Sequence, residues 1–320
     1  MIRLLSVLLV FVCTSQSASA QTWPSKNIRV IVPYAAGSTT DIVPRLIFEQ
    51  LGVQLAQTFV VENRGGAGGT IGSAAVARAD PDGYTLLVNS NAHTIAPSFY
   101  PALSYHPARD FAAVVPLGIS PNVLVVSPQR GYKTIADLVA AAKAKPGSLN
   151  FSSVGVGSAT HLSAERFRLS AGLDMVHVPF KGGAEAMTEV IAGRIDFYFG
   201  PVGLVLPQVK EGKLVALVQN GLRRSSSLPD VPTTREAGFV DAEFPIWFGL
   251  FAPAKTPPAV VGKLHGEALK AIQSPRTAEK LAGLGVDPLP MGSDEFGKFV
   301  EQEVAANAAL VKAAGIKLPQ

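Results

Sequence analysis

The stretch Ile28-Arg29-Val30-Ile31-Val32-Pro33-Tyr34-Ala35-Ala36-Gly37-Ser38-Thr39-Thr40-Asp41-Ile42-Val43-Pro44 carries the plan of the chain in one strand, one loop and one helix start. Ile28–Val32 is a β-branched run broken only by Arg29, which predicts a largely buried strand. Over residues 41–55, Ile42, Val43, Leu46, Ile47, Leu51 and Leu55 recur at helical spacing and predict one apolar face. Pro44 belongs in a first turn, where a missing N–H is harmless, so Thr40 or Asp41 is the expected N-cap. The amides of such a turn lack partners inside the helix and sit at the positive end of its dipole. A loop of this kind is a ready site for a carboxylate.

Working outward, strands at 59–61 and 85–88 flank a helix at 70–79 and complete a βαβαβ unit. The alternation restarts at Asn122. Strands at 123–126, 150–153, 175–178, 196–199 and 214–218 are interleaved with helices at 134–145, 159–171 and 184–192. A strand at 247–252 and helices at 258–272, 275–284 and 294–314 close the chain. These late helices need a sheet to cover, and the first one is available. The expected fold is therefore α/β with two lobes, each a mostly parallel sheet flanked by helices. Residues 21–121 and 251–320 form the first lobe, and residues 122–250 form a second lobe inserted into it. Chain crossings are expected near Pro121-Asn122 and near Leu250, with the ligand crevice at the carboxyl ends of the strands between them.

Residues 1–20 hold one charge, Arg3, then an apolar run from Leu4 to Val12 and the triplet Ala18-Ser19-Ala20. That order predicts a secretory signal peptide cleaved before Gln21, hence a periplasmic protein. The apolar run is about half of the roughly 20 residues a membrane span needs. Cys13, the single cysteine, follows Val12, whereas a lipoprotein anchor wants a small residue there. Its removal with the signal peptide leaves no thiol for a disulfide, a nucleophile or a metal. A hydrophobic content of 48% with only 16% charged residues suits a large core, and the formal net charge of +4 loses only Arg3 on cleavage. The basic residues are scattered, which argues against a nucleic-acid surface.

Two further segments repeat the strand-loop-helix plan. Gly155-Val156-Gly157-Ser158-Ala159-Thr160-His161 and Pro179-Phe180-Lys181-Gly182-Gly183-Ala184 each follow a strand and open a helix. Loops of this kind from both lobes would surround a small anion with N–H donors. The run from Asn63 to Gly72 is glycine-rich but misses the dinucleotide spacing, its third glycine falling one residue late, so no cofactor is expected. The five histidines, His93, His106, His161, His177 and His265, form no metal-ligand spacing, and no nucleophile elbow is present. His177 reads as a core or edge residue, while His93 and His161 read as hydrogen-bond donors on the ligand side. Asp80-Pro81-Asp82-Gly83 is turn chemistry rather than a catalytic pair. A secreted hydrolase is the remote alternative, and no metal or catalytic residue is expected.

At this point the chain resembles a family, the Bug or TctC-type receptors of tripartite tricarboxylate transporters. The resemblance rests on residues 28–34 with Gly37 and Thr40-Asp41, Val61-Glu62-Asn63-Arg64 leading to Gly66-Ala67-Gly68-Gly69, and Pro81-Asp82-Gly83-Tyr84-Thr85-Leu86-Leu87. It continues through Gly155-Val156-Gly157-Ser158 with His161-Leu162, Val178-Pro179-Phe180-Lys181-Gly182-Gly183, Leu228-Pro229-Asp230-Val231-Pro232-Thr233 and Phe248-Gly249-Leu250-Phe251-Ala252-Pro253. It implies a monomeric binding protein of the Venus-flytrap type (type II) that takes dicarboxylates, tricarboxylates or aromatic acids for a membrane permease, or alternatively reports them to a signalling partner. The implied contacts are Tyr34, Gly37, Ser38, Thr39, Thr40 and Asp41 with Asn91 and His93 in the first lobe. In the second they are Ser158, Thr160, His161, Gly182, Gly183, Ala184 and Gly200. Four departures from the family pattern stand out. Ala36 replaces a proline and Ser38 a glycine in the first loop, Gly200 stands where an aspartate is frequent, and Asn307 stands where a tryptophan is frequent. The loss of an acidic group at Gly200 tilts the expected ligand toward an acid without an amine.

Overall fold

The computed structural model describes residues 23–316, so the expected signal peptide and Cys13 lie outside the described residues. The first sheet contains β1 (Ile28–Val32), β2 (Phe59–Asn63), β3 (Thr85–Ser90), β4 (Phe111–Ser120) and, from much later in the chain, β10 (Ile246–Pro253), in the order β2-β1-β3-β10-β4. The second contains β5 (Asn122–Val126), β6 (Asn150–Ser153), β7 (Val176–Pro179), β8 (Phe197–Pro201) and β9 (Val215–Gln219), in the order β7-β6-β8-β5-β9. The two orders are equivalent. In each sheet four strands run one way and the fourth in spatial order, β10 or β5, runs against both neighbours. That reversed strand is the one that arrives directly from the other sheet.

Period-two alternation divides each sheet into two buried faces. In the first, Ile28, Val30 and Val32 pack under α1 (Thr39–Leu55), α8 (Pro258–Gln273) and α9 (Pro275–Gly283). On the opposite face, Ile31, Leu87, Trp247 and Phe251 meet Val76 of α2 (Thr70–Ala77) and Phe296 and Val300 of α10 (Ser293–Ala313). In the second sheet, Phe151, Phe197 and Phe199 face α4 (Ile135–Ala144) and α5 (Ala159–Ser170), while Val123, Val125 and Tyr198 face α6 (Gly183–Ile191) and α7 (Val202–Lys210). Burying each such side chain contributes about 1.5–3 kcal/mol, so both faces of both sheets matter to stability.

Four expectations are corrected. The helix after β1 begins at Thr39 with Ser38 as N-cap, not at Thr40 or Asp41. Pro44 accordingly lies in its second turn, where it denies the Thr40 carbonyl its helical donor. The second crossing is not near Leu250, because β10 pairs with β4 from Ile246 onward and Leu250 sits mid-strand between Val88 and Val115. Finally, α3 (Ala92–Phe99), β4 and α7 carry no element in the sequence reading. Pro97, Pro116 and Pro207 interrupt their patterns. Pro116 is tolerated because β4 is an edge strand and its pairing with β10 is irregular beside it, between Phe248 and Gly249.

Candidate functional site

The loop from Pro33 to Ser38 leaves the carboxyl end of β1 and is held by Asp41. The Asp41 carboxylate accepts from the Gly37 amide at 2.9 Å, from Arg45 Nε at 2.9 Å and from Asn63 Nδ2 at 2.8 Å. Burial opposes its ionisation, but the bonds from Arg45, Gly37 and Asn63 outweigh that and hold its carboxyl below the usual range. Asp41 is thus spent on loop shape. What the loop leaves open is different. Among the described residues, the amides of Thr39 and Thr40 find no acceptor, and Ser38 Oγ is buried without a partner and does not cap the helix. Tyr34 Oη donates to Asn89 Oδ1 at 3.3 Å, and burial pushes its phenol up.

The second-lobe loop is built from the same parts used otherwise. Ser158 caps α5 by accepting from the His161 amide at 3.2 Å, and its hydroxyl donates to the Gly155 carbonyl at 2.7 Å. Thr160 Oγ1 accepts from the Val154 amide at 3.1 Å. Among the described residues, the amides of Ala159 and Thr160 have no acceptor, nor do those of Gly183 and Ala184 at α6, whose N-cap Gly182 offers no side chain. Gly183 lies in close contact with its neighbours. A Cβ there would stand 2.6 Å from Leu204 Cδ2 and 3.2 Å from Tyr198 Oη. The Tyr198 hydroxyl itself is buried with no hydrogen-bond partner among the described residues, and burial raises its pKa despite the nearby Thr160.

Three expected contacts are placed elsewhere. His93 is wholly buried, boxed by Tyr105, Phe111 and Phe251, with Nε2 3.1 Å from the Pro107 carbonyl. Burial lowers its pKa to about 4, so it is a core imidazole, not a ligand donor. His161 turns inward, its Nδ1 accepting from the Gly157 amide at 3.1 Å. Gly200 is buried opposite Val123, and a Cβ there would come 2.5 Å from Tyr198 Cε1 and 2.6 Å from Val205 Cγ1. Its smallness serves packing. Asn91 stays at the junction, with Nδ2 donating to the Pro245 carbonyl at 3.4 Å and Oδ1 buried without a partner. Tyr198, Arg45 and Asn63 are not among the expected contacts. Tyr198 reads only as part of an aromatic strand, Arg45 as part of the helix pattern, and Asn63 as the start of the glycine-rich run.

Lobe meets lobe directly beside these loops. Gly157, at φ +77°, lies so near Phe99 of α3 that a Cβ would be 2.9 Å from the ring. Leu162 of α5 packs with Ile95, Phe99, Leu310 and Val311 of the first lobe. Where the chain crosses, Asn122 and Asn220 both donate to Ser163 Oγ at 3.0 Å, and Asn220 donates to the Phe244 carbonyl at 2.9 Å. These residues are buried and tie the crossing segments together.

Comparison with known proteins agrees with this architecture. Residues 43–316 match the model of the tripartite tricarboxylate transporter family receptor. Protein BugT of Bordetella pertussis is 34% identical over 323 aligned positions, covering 99% of each chain. Among solved structures, MatC of Rhodopseudomonas palustris with bound malate is 32% identical, with a TM-score of 0.77 over 90% of this chain and 100% of that one. Another Rhodopseudomonas palustris protein, solved with adipate, is 30% identical, with a TM-score of 0.82 over 93% and 100%. The paired five-stranded sheets, the matching family model and these relatives together make the chain a member of the TctC/Bug family of solute-binding receptors.

Proposed function

We propose that this receptor captures a small di- or tricarboxylate, or an aromatic acid, between its lobes and catalyses no reaction on it. The carrying observation is the set of unpartnered donors at helix starts on both sides: Ser38 Oγ with the Thr39 and Thr40 amides, and the Gly183 and Ala184 amides with Tyr198 Oη. Each set sits at the positive end of a helix dipole and suits one anionic group. Two poles on two lobes suit a ligand with acidic groups at both ends. Malate and adipate, held by two of the relatives, have that form. In this reading the first lobe comprises residues up to 120 and from 246, and the second lies between them.

The remaining steps follow the same reading. The free protein is a periplasmic monomer exported by its N-terminal segment, without a cofactor. A ligand that touches both lobes favours their closed arrangement by its differential affinity. The closed form is what a tripartite-type membrane permease would recognise.

The test is a thermal-shift screen of carboxylates that includes malate and adipate, with mass spectrometry of acid released from the purified protein. A ligand at 100 times its Kd should add about 2.7 kcal/mol to native stability and raise Tm visibly. If no carboxylate moves Tm at millimolar concentration and none is released, the reading is wrong.

A further inference from the structure

We propose that His161, stacked on His177, is a positioning residue that shapes the second-lobe ligand loop through the Gly157 amide without touching the ligand. The inference rests on the proposed function and on that loop, with its free Ala159 and Thr160 amides, being part of the second lobe's ligand surface beside Gly183 and Ala184. Three observations support it. The Gly157 amide donates to His161 Nδ1 at 3.1 Å, which requires a lone pair on that nitrogen. A neutral ring must then carry its proton on Nε2, which faces Glu165 Oε1 at 3.7 Å. The two imidazoles lie face to face, their centroids 3.9 Å apart and their planes 16° from parallel.

The second ring anchors the other end of the same loop. His177 Nε2 is 2.6 Å from Ser153 Oγ, which receives the Gly155 amide and approaches the Gly155 carbonyl, each at 3.1 Å. The stacked pair therefore fixes Gly155 through one ring and Gly157 through the other, immediately before the free amides of Ala159 and Thr160. The ionisable groups around His161 are Glu165 and Arg168 on its own helix and His177 from β7. Glu165 is occupied by Arg168 Nε at 2.7 Å, and Arg168 also donates to the Ala314 carbonyl in the first lobe at 3.3 Å. Burial first, then the neighbouring imidazole and Arg168, depress the pKa of His161, and burial depresses that of His177. The pair stays neutral well below pH 7, and the acceptor for Gly157 persists.

The experiment has one arm without ligand and one with. In protein labelled with nitrogen-15, His161 at pH 7 should show an unprotonated Nδ1, and the Gly157 amide should be protected from exchange. His161→Phe, which keeps a ring on His177 but removes the acceptor, should speed Gly157 exchange and weaken malate or adipate binding by about tenfold. His161→Asn, whose Oδ1 replaces the Nδ1 acceptor, should restore both to within about threefold of wild type. A protonated Nδ1, or Gly157 exchange unchanged in His161→Phe, overturns the proposal. If His161→Phe does not fold, the wild-type tautomer and the His161→Asn exchange rate still decide it. A protein that passes the exchange test yet binds no carboxylate sinks the ligand reading instead.

Discussion

Asp41 and His161 each use a side-chain acceptor on the amide four residues earlier in the chain. Both fall in loops that open helices at strand ends, which is why the sequence marks them as contacts. In the structure each faces the backbone of its own loop, at the Gly37 and Gly157 amides respectively. Charge and hydrogen-bonding capacity are legible in a sequence, but the direction of a side chain is set by neighbours distant in the chain, such as Asn63 for Asp41 and His177 for His161. The same limit hid the placement of Tyr198, whose hydroxyl lies close to Gly183 at the start of α6. Asp41→Asn should leave the fold recognisable but cost about 1.5–3 kcal/mol, the range for hydrogen bonds to a charged group, seen as a lowered urea midpoint. An unchanged midpoint would mean the three bonds to this carboxylate do not hold the loop. Gly157→Ala tests the other side. The left-handed backbone costs a non-glycine residue roughly 1–2 kcal/mol, and the new methyl would displace the Phe99 ring, so stability should fall by at least that amount.

Among the elements, α1 and α5 begin alike, with Ser38 and Ser158 each in extended conformation at the N-cap. Their hydroxyls do different work. Ser158 Oγ accepts the His161 amide and so pays the usual capping debt of its helix, whereas Ser38 Oγ caps nothing. Ser158→Ala should therefore destabilise the protein by about 0.5–2 kcal/mol. Ser38→Ala should leave stability within about 0.5 kcal/mol and weaken carboxylate binding by about fivefold to tenfold. Chemical denaturation beside titration calorimetry reads both quantities, and a Ser38→Ala variant that loses stability but keeps affinity would reverse the assignment. Sequence periodicity found the elements whose apolar pattern is unbroken, such as β1 and α1, where Val43, Ile47, Leu51 and Leu55 are buried in register. It passed over α3, β4 and α7 because a proline in each masks the pattern, and what keeps them regular is packing from elements far along the chain. For β4 this is β10, more than a hundred residues later, and for α3 it is α10, where Asn307 Nδ2 reaches Thr94 Oγ1 at 3.0 Å.

Across the whole molecule, both sheets admit one strand delivered from the opposite lobe, and both lobes enclose neutral imidazoles. That the late helices return to the first sheet was legible because they lacked a sheet of their own, whereas Ile246 to Pro253 reads as one apolar run whichever sheet takes it. Two buried histidines, His93 and His161, and the half-buried His177 give the molecule a common response to acid. His93 in the first lobe is depressed by burial to about 4, and in the second His161 and His177 are depressed chiefly by burial, to about 3 and about 4. Their unfolded values lie near 6.5, so as pH falls below that point the unfolded chain takes up protons that the folded chain refuses. The stability they contribute is fully present above about 6.5 and is lost progressively until the folded values are reached near pH 4 to 3. Asp41, with a lowered pKa, adds to the loss only at the acid end of this range, below the usual carboxylate value. Glu165, Asp287 and Glu303, all raised by burial, act in the opposite sense, because the folded state protonates them first. Unfolding near pH 5 should therefore take up to about three protons from the histidines, less whatever those carboxyl groups already hold. The urea midpoint should hold between pH 7.5 and about 6.5 and decline from there to pH 4.5. His93→Phe, which keeps a ring against Tyr105, Phe111 and Phe251, should reduce that slope by about a third. A midpoint that is flat or rises toward pH 5 would show that these imidazoles are not held neutral by the fold.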